Sequence, residues 1–202
     1  MALTKIRGNS PPPPAGTKPT QQDNNTMKKP SSRQPLARVI PFAFAVYGVV
    51  LIALTMFKSR LSLGGMWNTE AHQQRSLDLV LFNGFIDAPV WWGPWVNTFG
   101  NIVLFMPFGF FLYLLLRSHS SRFPLLEVTL FSALASLGIE VLQWGLSVGY
   151  SDVDDLLFNT IGGIIGGTIA SRLPRAAVTR LSLIITGSCL AVLLLIASSS
   201  FR

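Results

Sequence analysis

The sequence predicts an all-α fold, a transmembrane bundle of about five helices that follows a disordered N-terminal tail. The chain has 202 residues, of which 50% are hydrophobic and only 12% charged, whereas a soluble domain carries about 25% charged residues. Five apolar stretches each approach the roughly 20 residues that a helix needs to cross a bilayer. Because backbone in lipid must satisfy its own hydrogen bonds, these stretches should be helical.

The tail, residues 1–35, differs in composition from everything after it. It contains the run Pro11–Pro14, many polar residues and almost no large apolar side chain. Such a segment cannot bury enough apolar surface to offset its ordering entropy, which predicts disorder. Its cations are Lys5, Arg7, Lys18, Lys28, Lys29 and Arg33, against one acid, Asp23. A topology signal is favoured over attachment to an anionic inner leaflet or a protein partner.

The predicted transmembrane domain covers residues 36–201. Its apolar stretches are residues 39–57, 96–116, 125–146, 156–173 and 181–197. The fourth stretch is short and rich in glycine, with Gly162, Gly163, Gly166 and Gly167 at small-xxx-small spacing. That spacing is typical of closely packed helices. It also predicts a homo-oligomer that associates through this helix.

The positions of the basic residues predict the orientation. The tail and the loops after the second and fourth stretches share one side, with Arg38, Arg117, Arg122, Arg172, Arg175 and Arg180. The other side holds Lys58, Arg60, Arg75 and Arg202, and its short loop carries Asp152, Asp154 and Asp155. The positive-inside rule therefore predicts a multi-pass protein of the cell membrane with a cytoplasmic N-terminus and an extracytoplasmic C-terminus. The net charge of +7 is explained by topology, and nothing further indicates nucleic acid.

Six polar residues in the second, third and fourth stretches form the predicted ligand-binding site. They are Asn97, Asn101, Glu140, Gln143, Asp155 and Asn159. Short connections should bring the three helices together with these side chains near the outer end. Amides in spans also join helices without binding anything, so both interpretations stay open for them. For Glu140 a functional site is favoured, because intramembrane acids usually face a cavity or the bundle.

The remaining acids and the first outer loop have plainer interpretations. Asp152 and Asp154 are expected to be solvated loop acids. A cation held by them with Asp155 and Glu140 is an alternative, since hard cations choose oxygen ligands, but the spacing matches no metal motif. In the loop of residues 58–95 the tryptophans predict an interfacial anchor. Residues 77–85 are expected to form a re-entrant or interfacial segment.

Three separated motifs resemble the VanZ-like family. NTFGNIVLFMPFGFFLYLLL (residues 97–116), EVLQ (residues 140–143) and SDVDDLLFNTIGGIIGG (residues 151–167) occur in the family's order. The resemblance covers about residues 79–173. It implies a multi-pass bacterial membrane protein associated with low-level resistance to the glycopeptide teicoplanin. The six polar residues match the family's polar signature.

Two positions depart from the family pattern. Gly149 and Tyr150 stand where an arginine is common, and Asn83-Gly84-Phe85 only partly matches the outer-loop motif.

The function predicted from these features is a non-catalytic protein of the cell envelope. Its outward-facing polar site would bind a lipid- or glycan-linked ligand, such as a cell-wall or glycolipid precursor, among surrounding membrane lipids. No Ser-His pairing, zinc motif or phosphate-binding Gly-Lys loop is recognised, so no cofactor or metal is predicted. Two alternatives remain: an envelope enzyme that uses Glu140 or Asp155 as a base on a lipid-linked substrate, and a small transporter or assembly subunit.

Overall fold

The structure, a computed structural model, describes residues 34–57, 77–86, 90–146 and 151–199. All but the last two residues of the predicted tail lie outside these ranges. The described elements are α1 (Gln34–Phe57), β1 (Leu77–Asp78), α2 (Asn83–Ile86), α3 (Gly93–Ser118), α4 (Pro124–Leu146), β2 (Ser151–Asp152), α5 (Val153–Arg172) and α6 (Arg175–Ser199). The predicted all-α class is confirmed.

Five long helices occur where five spans are predicted, and four of them are long and apolar enough to cross a membrane. Those four contain the segments Val39–Met56, Gly93–Ser118, Pro124–Leu146 and Arg175–Ser198. The fifth, α5, has 20 residues and is not among the four. Two acids and a glycine-rich sequence lower its hydropathy, so its assignment as a span stays a prediction.

The most extensive helix pair is α3 with α5, and glycine is the cause. A Cβ atom added to Gly162 or Gly166 would overlap the backbone carbonyl oxygen of Ile102 or Met106, respectively. The same conflict would arise between Gly109 and the carbonyl of Gly163. The two backbones therefore touch, which confirms the close-packing interpretation of the glycine spacing.

The other glycines of α5 face α4. A Cβ on Gly163 would overlap the hydroxyl of Ser132, and one on Gly167 would lie 3.1 Å from a methyl carbon of Val128. The glycine face is thus covered within one chain. The predicted homo-oligomer stays a prediction, and an interface on α5 would have to use exposed residues such as Ile164 and Ile165.

Aromatic residues fill the contact between α1 and α3. The ring centroids of Phe44 and Phe108 lie 5.4 Å apart, and those of Tyr47 and Phe111 lie 6.4 Å apart. The Tyr47 hydroxyl donates a hydrogen bond to the backbone carbonyl of Leu104. The outer face of α1 packs against α6, so α1 joins α6 to the rest of the bundle.

Glu140 and the acids at the start of α5 lie at the opposite end of the bundle from Arg117 and Arg172. A hydrogen bond between Asn97 and Asp155 joins the N-terminal turns of α3 and α5, so these helices run parallel. α4 runs antiparallel to them, which brings its C-terminal turns, with Glu140, to the same end. Arg117 and Arg172, in the last turns of α3 and α5, lie at the other end.

A short segment before α3 is attached to the acidic end. β1 pairs with β2 in parallel, with Leu77 opposite Ser151 and Asp78 opposite Asp152. Large exposed apolar side chains follow β1: Leu79, Val80, Leu81, Phe82 and Ile86. Exposure of this kind beside apolar helices supports the predicted interfacial segment.

Candidate functional site

Asp155 is the centre of one hydrogen-bonded group at the acidic end. Its carboxylate accepts a hydrogen bond from the side-chain amide of Asn97 at 2.9 Å and another from that of Asn101. Asp155 and Asn101 are both buried. The group joins two turns of α3 to the first turn of α5, and charge-assisted bonds of this kind are stronger than neutral ones.

The next turn inward joins α4 to α5. The side-chain amide of Asn159 donates to the hydroxyl of Ser136 at 2.9 Å. That hydroxyl lies 3.5 Å from the backbone carbonyl of Asp155. Ser136 and Asn159 are almost completely buried, so this pair is an interhelical contact.

Gln143 contacts α1, a helix outside the three that were predicted to form the site. Its side-chain amide donates to the backbone carbonyl of Thr55 at 3.1 Å. Carbonyls in the last turn of a helix have no partner within the helix, and Gln143 supplies one. The predicted polar residues therefore contact four helices. Their spacing within α3, α4 and α5 did not indicate the contact with α1.

Glu140 links α4 to the start of α5. One of its carboxylate oxygens accepts from the backbone N–H of Asp152 at 3.1 Å. The side chain is 7% exposed, although it lies within an apolar helix. A carboxylate in such a position is costly unless it faces polar groups or a cavity.

Asp152 and Asp154 are not the solvated loop acids that were expected. Asp152 is the N-cap of α5 and accepts from the N–H of Asp154 at 2.8 Å. Asp154 is 4% exposed, and its two oxygens lie 3.0 Å and 2.9 Å from the N–H of Phe82. The N-terminus of a helix stabilises carboxylates through its free N–H groups and its dipole.

The contact to Phe82 has a conformational consequence. Phe82 has a φ of 63°, the left-handed region that residues with a Cβ rarely adopt. Asp154 holds the N–H of this residue from the first turn of α5, and the Phe82 ring also contacts the Phe158 ring at 6.3 Å. These contacts hold the segment before α3 against α5, with Phe82 in a strained backbone conformation.

The acids around Asp152 change its ionisation. Burial above all, together with the neighbouring carboxylates of Asp155, Asp154 and Asp78, raises the pKa of Asp152 to about 6. The N–H of Asp154 opposes them. Asp152 therefore titrates just below neutral pH, where a solvated aspartate is fully ionised.

A cavity of about 330 Å³ opens beside these acids. Three carboxylate residues from different elements line it: Asp78 from β1, Glu140 from α4 and Asp152 from β2. The other lining residues are Leu79, Leu137, Val141, Trp144, Val153 and Leu156. Its volume lies in the range of small-molecule sites, about 300–1,000 Å³.

The apolar wall of the cavity is continuous with the outer face of α4. Leu137, Val141 and Trp144 lie on one side of that helix and are between 44% and 60% exposed. In a membrane this face is covered by acyl chains. The cavity thus combines an apolar wall toward lipid with three carboxylate residues among those that line it.

Of the six residues predicted as the site, the cavity lining contains Glu140. The other five lie at the same end of the bundle but outside this lining, and their hydrogen bonds connect helices. Asp78 and Trp144 line the cavity and were not among the six. Asp78 precedes an apolar loop run, so only the fold relates it to Glu140. Trp144 lies four residues after Glu140 in α4, and helical spacing was a signal that could have placed the two on one face.

Within the described ranges, no group of three or more His, Cys, Asp or Glu side chains is arranged to hold a metal ion. The alternative of a cation held jointly by four acids gains no support there, because Asp154 and Asp155 bind amide N–H groups instead.

Comparison with known proteins assigns the family. A family model described as VanZ/LLP1 matches residues 44–174. Protein VanZ of Enterococcus faecium is 30% identical over 162 residues, which cover 78% of this chain and 91% of that protein. The chain belongs to the VanZ-like family. No solved structure matches it.

The extent of the family match corrects one expectation. The resemblance was expected to cover about residues 79–173, which leaves out the first span, yet the match begins at Phe44, within α1. It therefore includes Thr55, whose carbonyl accepts from Gln143. The matched range therefore includes the part of α1 that contacts the polar end of the bundle. The departure at Gly149 and Tyr150 lies outside the described residues.

Proposed function

We propose that this VanZ-like membrane protein binds a lipid-linked ligand in the cavity beside Glu140 and thereby contributes to glycopeptide resistance of the teicoplanin type. The head group lies against the acids, and the apolar part of the ligand lies along Leu137, Val141 and Trp144. Asn97, Asn101, Gln143, Asp155 and Asn159 join four helices at this end of the bundle, among them α4 and α5, which line the cavity.

One observation carries the proposal: the surface of the cavity is almost wholly apolar and includes exposed residues of α4, while three carboxylate residues also line it. A free sugar would leave that wall exposed to water, whereas an acyl chain extends from the cavity into the surrounding lipid. This favours the lipid-linked over the purely glycan-linked alternative. In such a site the buried Glu140 carboxylate orients the polar head group of the ligand.

The site faces the outside of the cell in this proposal. The arginine-bearing ends of α3 and α5 lie in the cytoplasm and the acidic ends lie outside, as the positive-inside rule requires. Labelling tests this in a Cys189→Ser background. Ser120→Cys should react with a membrane-impermeant thiol reagent only after the cells are opened, and Leu81→Cys should react in intact cells. The reverse pattern would place the cavity in the cytoplasm.

Blocking the cavity tests binding. Val141→Trp fills it, while Leu142→Trp adds the same side chain at the next residue of α4, which does not line it. The two positions are similarly exposed, at 60% and 53%. Native mass spectrometry of protein extracted from its own membrane should show a retained lipid in wild type and in Leu142→Trp. The lipid should be absent from Val141→Trp.

Resistance is measured on the same pair. Teicoplanin susceptibility of cells that produce Val141→Trp should match that of cells without the protein, and Leu142→Trp should behave as wild type. Equal lipid retention and equal susceptibility in both variants, at equal protein levels, would contradict the proposal.

A further inference from the structure

We infer that the end of the bundle opposite the cavity binds an anionic phospholipid through its arginines. Arg117 lies in the last turn of α3, Arg122 in the loop before α4, Arg172 at the end of α5, and Arg175 is the first residue of α6. All four side chains are exposed. This site is separate from the cavity, so the inference goes beyond the proposed function and does not depend on it.

Contacts among three helices relate the positions of these arginines. A Cβ added to Gly167 of α5 would lie 3.4 Å from a side-chain carbon of Leu125 on α4 and 3.6 Å from a backbone oxygen of α3, so the three helices meet at one level. Arg172 lies five residues beyond that level in α5, and Arg117 lies eight residues beyond it in α3. At 1.5 Å per residue these separations are about 8 Å and about 12 Å. Arg122 precedes Leu125 by three residues, on the same side.

The described contacts of two of these arginines are to neutral groups. Arg117 donates to the hydroxyl of Tyr113 at 3.1 Å, and the guanidinium carbon of Arg122 lies 5.3 Å from the centroid of the Phe123 ring. Such partners orient a guanidinium group without cancelling its charge. The described acid at this end is Glu127, which accepts from a serine hydroxyl of the same loop. Because a guanidinium has five N–H donors in a fork that matches phosphate, these arginines can bind an anion in addition to their described contacts.

Helix dipoles and topology explain only part of the arrangement. The C-terminus of a helix favours a cation, which accounts for Arg117 and Arg172. Arg175 begins α6, where the dipole disfavours a cation, and Arg122 lies outside the helices. The positive-inside rule requires basic residues near this end, but it does not require neutral groups that orient them. A bound anion would offset the charge that the dipoles leave uncompensated.

Exposed apolar residues next to Arg122 favour a phospholipid over free phosphate. Phe123, Leu126 and Leu130 are between 55% and 58% exposed. Leu126 and Leu130 lie one turn apart on one face of α4, and Phe123 directly precedes the helix. A phospholipid would place its phosphate at the arginines and its acyl chains along this face. A zwitterionic head group would bring its ammonium near the guanidinium groups, whereas an anionic lipid gains from each of them.

The test uses full-length protein in dodecyl maltoside micelles and photoreactive analogues of phosphatidylglycerol and phosphatidylcholine with identical acyl chains. Labelling of the peptide that contains Leu126 and Leu130 is quantified by mass spectrometry. Each arginine near the head group should contribute about fivefold, which corresponds to about 1 kcal/mol. The phosphatidylglycerol analogue should therefore label wild type about tenfold more than the phosphatidylcholine analogue, or better. An excess of inorganic phosphate should leave this ratio unchanged, because phosphate has no acyl chain.

Arg122→Gln removes one charge from the site and keeps a side chain that donates hydrogen bonds. It should lower the ratio of phosphatidylglycerol to phosphatidylcholine labelling about fivefold. Arg180→Gln is the matched control. Arg180 is exposed on α6 and lies two residues from the buried Val178 and Ser182, so it points away from the packed face of that helix. The control should keep the wild-type ratio, and both variants should keep the helical circular dichroism of wild type.

Three results would overturn the inference. Equal labelling of wild type by the two lipid analogues would show that the arginines select no anionic lipid. An equal fall of the ratio in Arg122→Gln and Arg180→Gln would show an effect of net charge instead of a site. Loss of phosphatidylglycerol labelling in inorganic phosphate would show that the arginines bind free phosphate. None of these results bears on lipid retention by Val141→Trp, so the proposed function is tested independently.

Discussion

Replacing Gly166 by alanine should weaken the contact between α3 and α5, on which the position of the acidic end depends. The added Cβ would overlap the backbone carbonyl oxygen of Met106, and backbone cannot rotate away as a flexible side chain can. Overpacking of this kind costs about 1–3 kcal/mol, and contact with backbone favours the upper end of that range. Alanine also gains up to about 1 kcal/mol of helix propensity over glycine, so the net loss is about 2 kcal/mol.

Gly138→Ala is the matched control, because nothing lies within 4 Å of a Cβ added at Gly138 on α4. This variant gains the same propensity without the overlap. The two variants should therefore differ by about 3 kcal/mol in free energy of unfolding, measured by SDS titration in mixed micelles with helical circular dichroism as the signal. Equal stability of Gly166→Ala and Gly138→Ala would refute the conclusion that the two backbones touch.

Three further outcomes follow from hydrogen bonds and ionisation at the acidic end. Gln143→Leu should lower the free energy of unfolding by about 1–3 kcal/mol, because it leaves the Thr55 carbonyl without its donor. Gln143→Glu removes that donor but stays polar, and it should cost a similar amount in the same SDS titration. A Gln143→Leu variant as stable as wild type would contradict the contact. Asp154→Ala should release the strained Phe82 turn and increase the rate of hydrogen exchange in residues 77–86, while the exchange rate in α6 stays the same. An unchanged exchange rate in residues 77–86 would show that other contacts hold the segment. The pKa of Asp152 is raised to about 6 in the folded protein, so the folded state binds this proton more tightly than the unfolded state does. The stabilisation from the protonated Asp152 is therefore fully present below about pH 4 and is lost as pH rises through about 6. The fall in melting temperature between pH 4 and pH 7 should therefore be larger in wild type than in Asp152→Asn, and a larger fall in the variant would reverse the sign.

Much of the architecture was predictable because a bilayer leaves few solutions. The backbone of a run such as residues 96–116 must satisfy its own hydrogen bonds in lipid, which favours a helix, and α3 was found there, at Gly93–Ser118. The glycine spacing on α5 predicted a close contact because only hydrogen allows two helix backbones to touch. The residues of α3 that these glycines contact, Met106 among others, were not predictable. α3 has no glycine at the level of Met106 that would have marked the contact in the sequence.

The candidate site was only partly predictable. Helical spacing and short connections indicated that Glu140 and Asp155 would lie at the same end, and they do. Spacing did not show that Asp155 would bind the amides of α3 while Glu140 faces a cavity. Asp155 bonds to α3 whereas Glu140 bonds to the start of α5, and a difference of that kind depends on how the helices are rotated about their axes.

By itself, the sequence determined that this chain is a helical membrane protein of the VanZ-like family, with Glu140 and Asp155 at one end and most of its arginines at the other. Those properties follow from local composition and from the cost of placing charge and free backbone groups in lipid. Only the tertiary structure decided that Asp78 comes beside Glu140 and Asp152 around one cavity, and that Gln143 contacts α1. Such contacts join residues far apart in the chain, and they depend on packing geometry that no local pattern encodes.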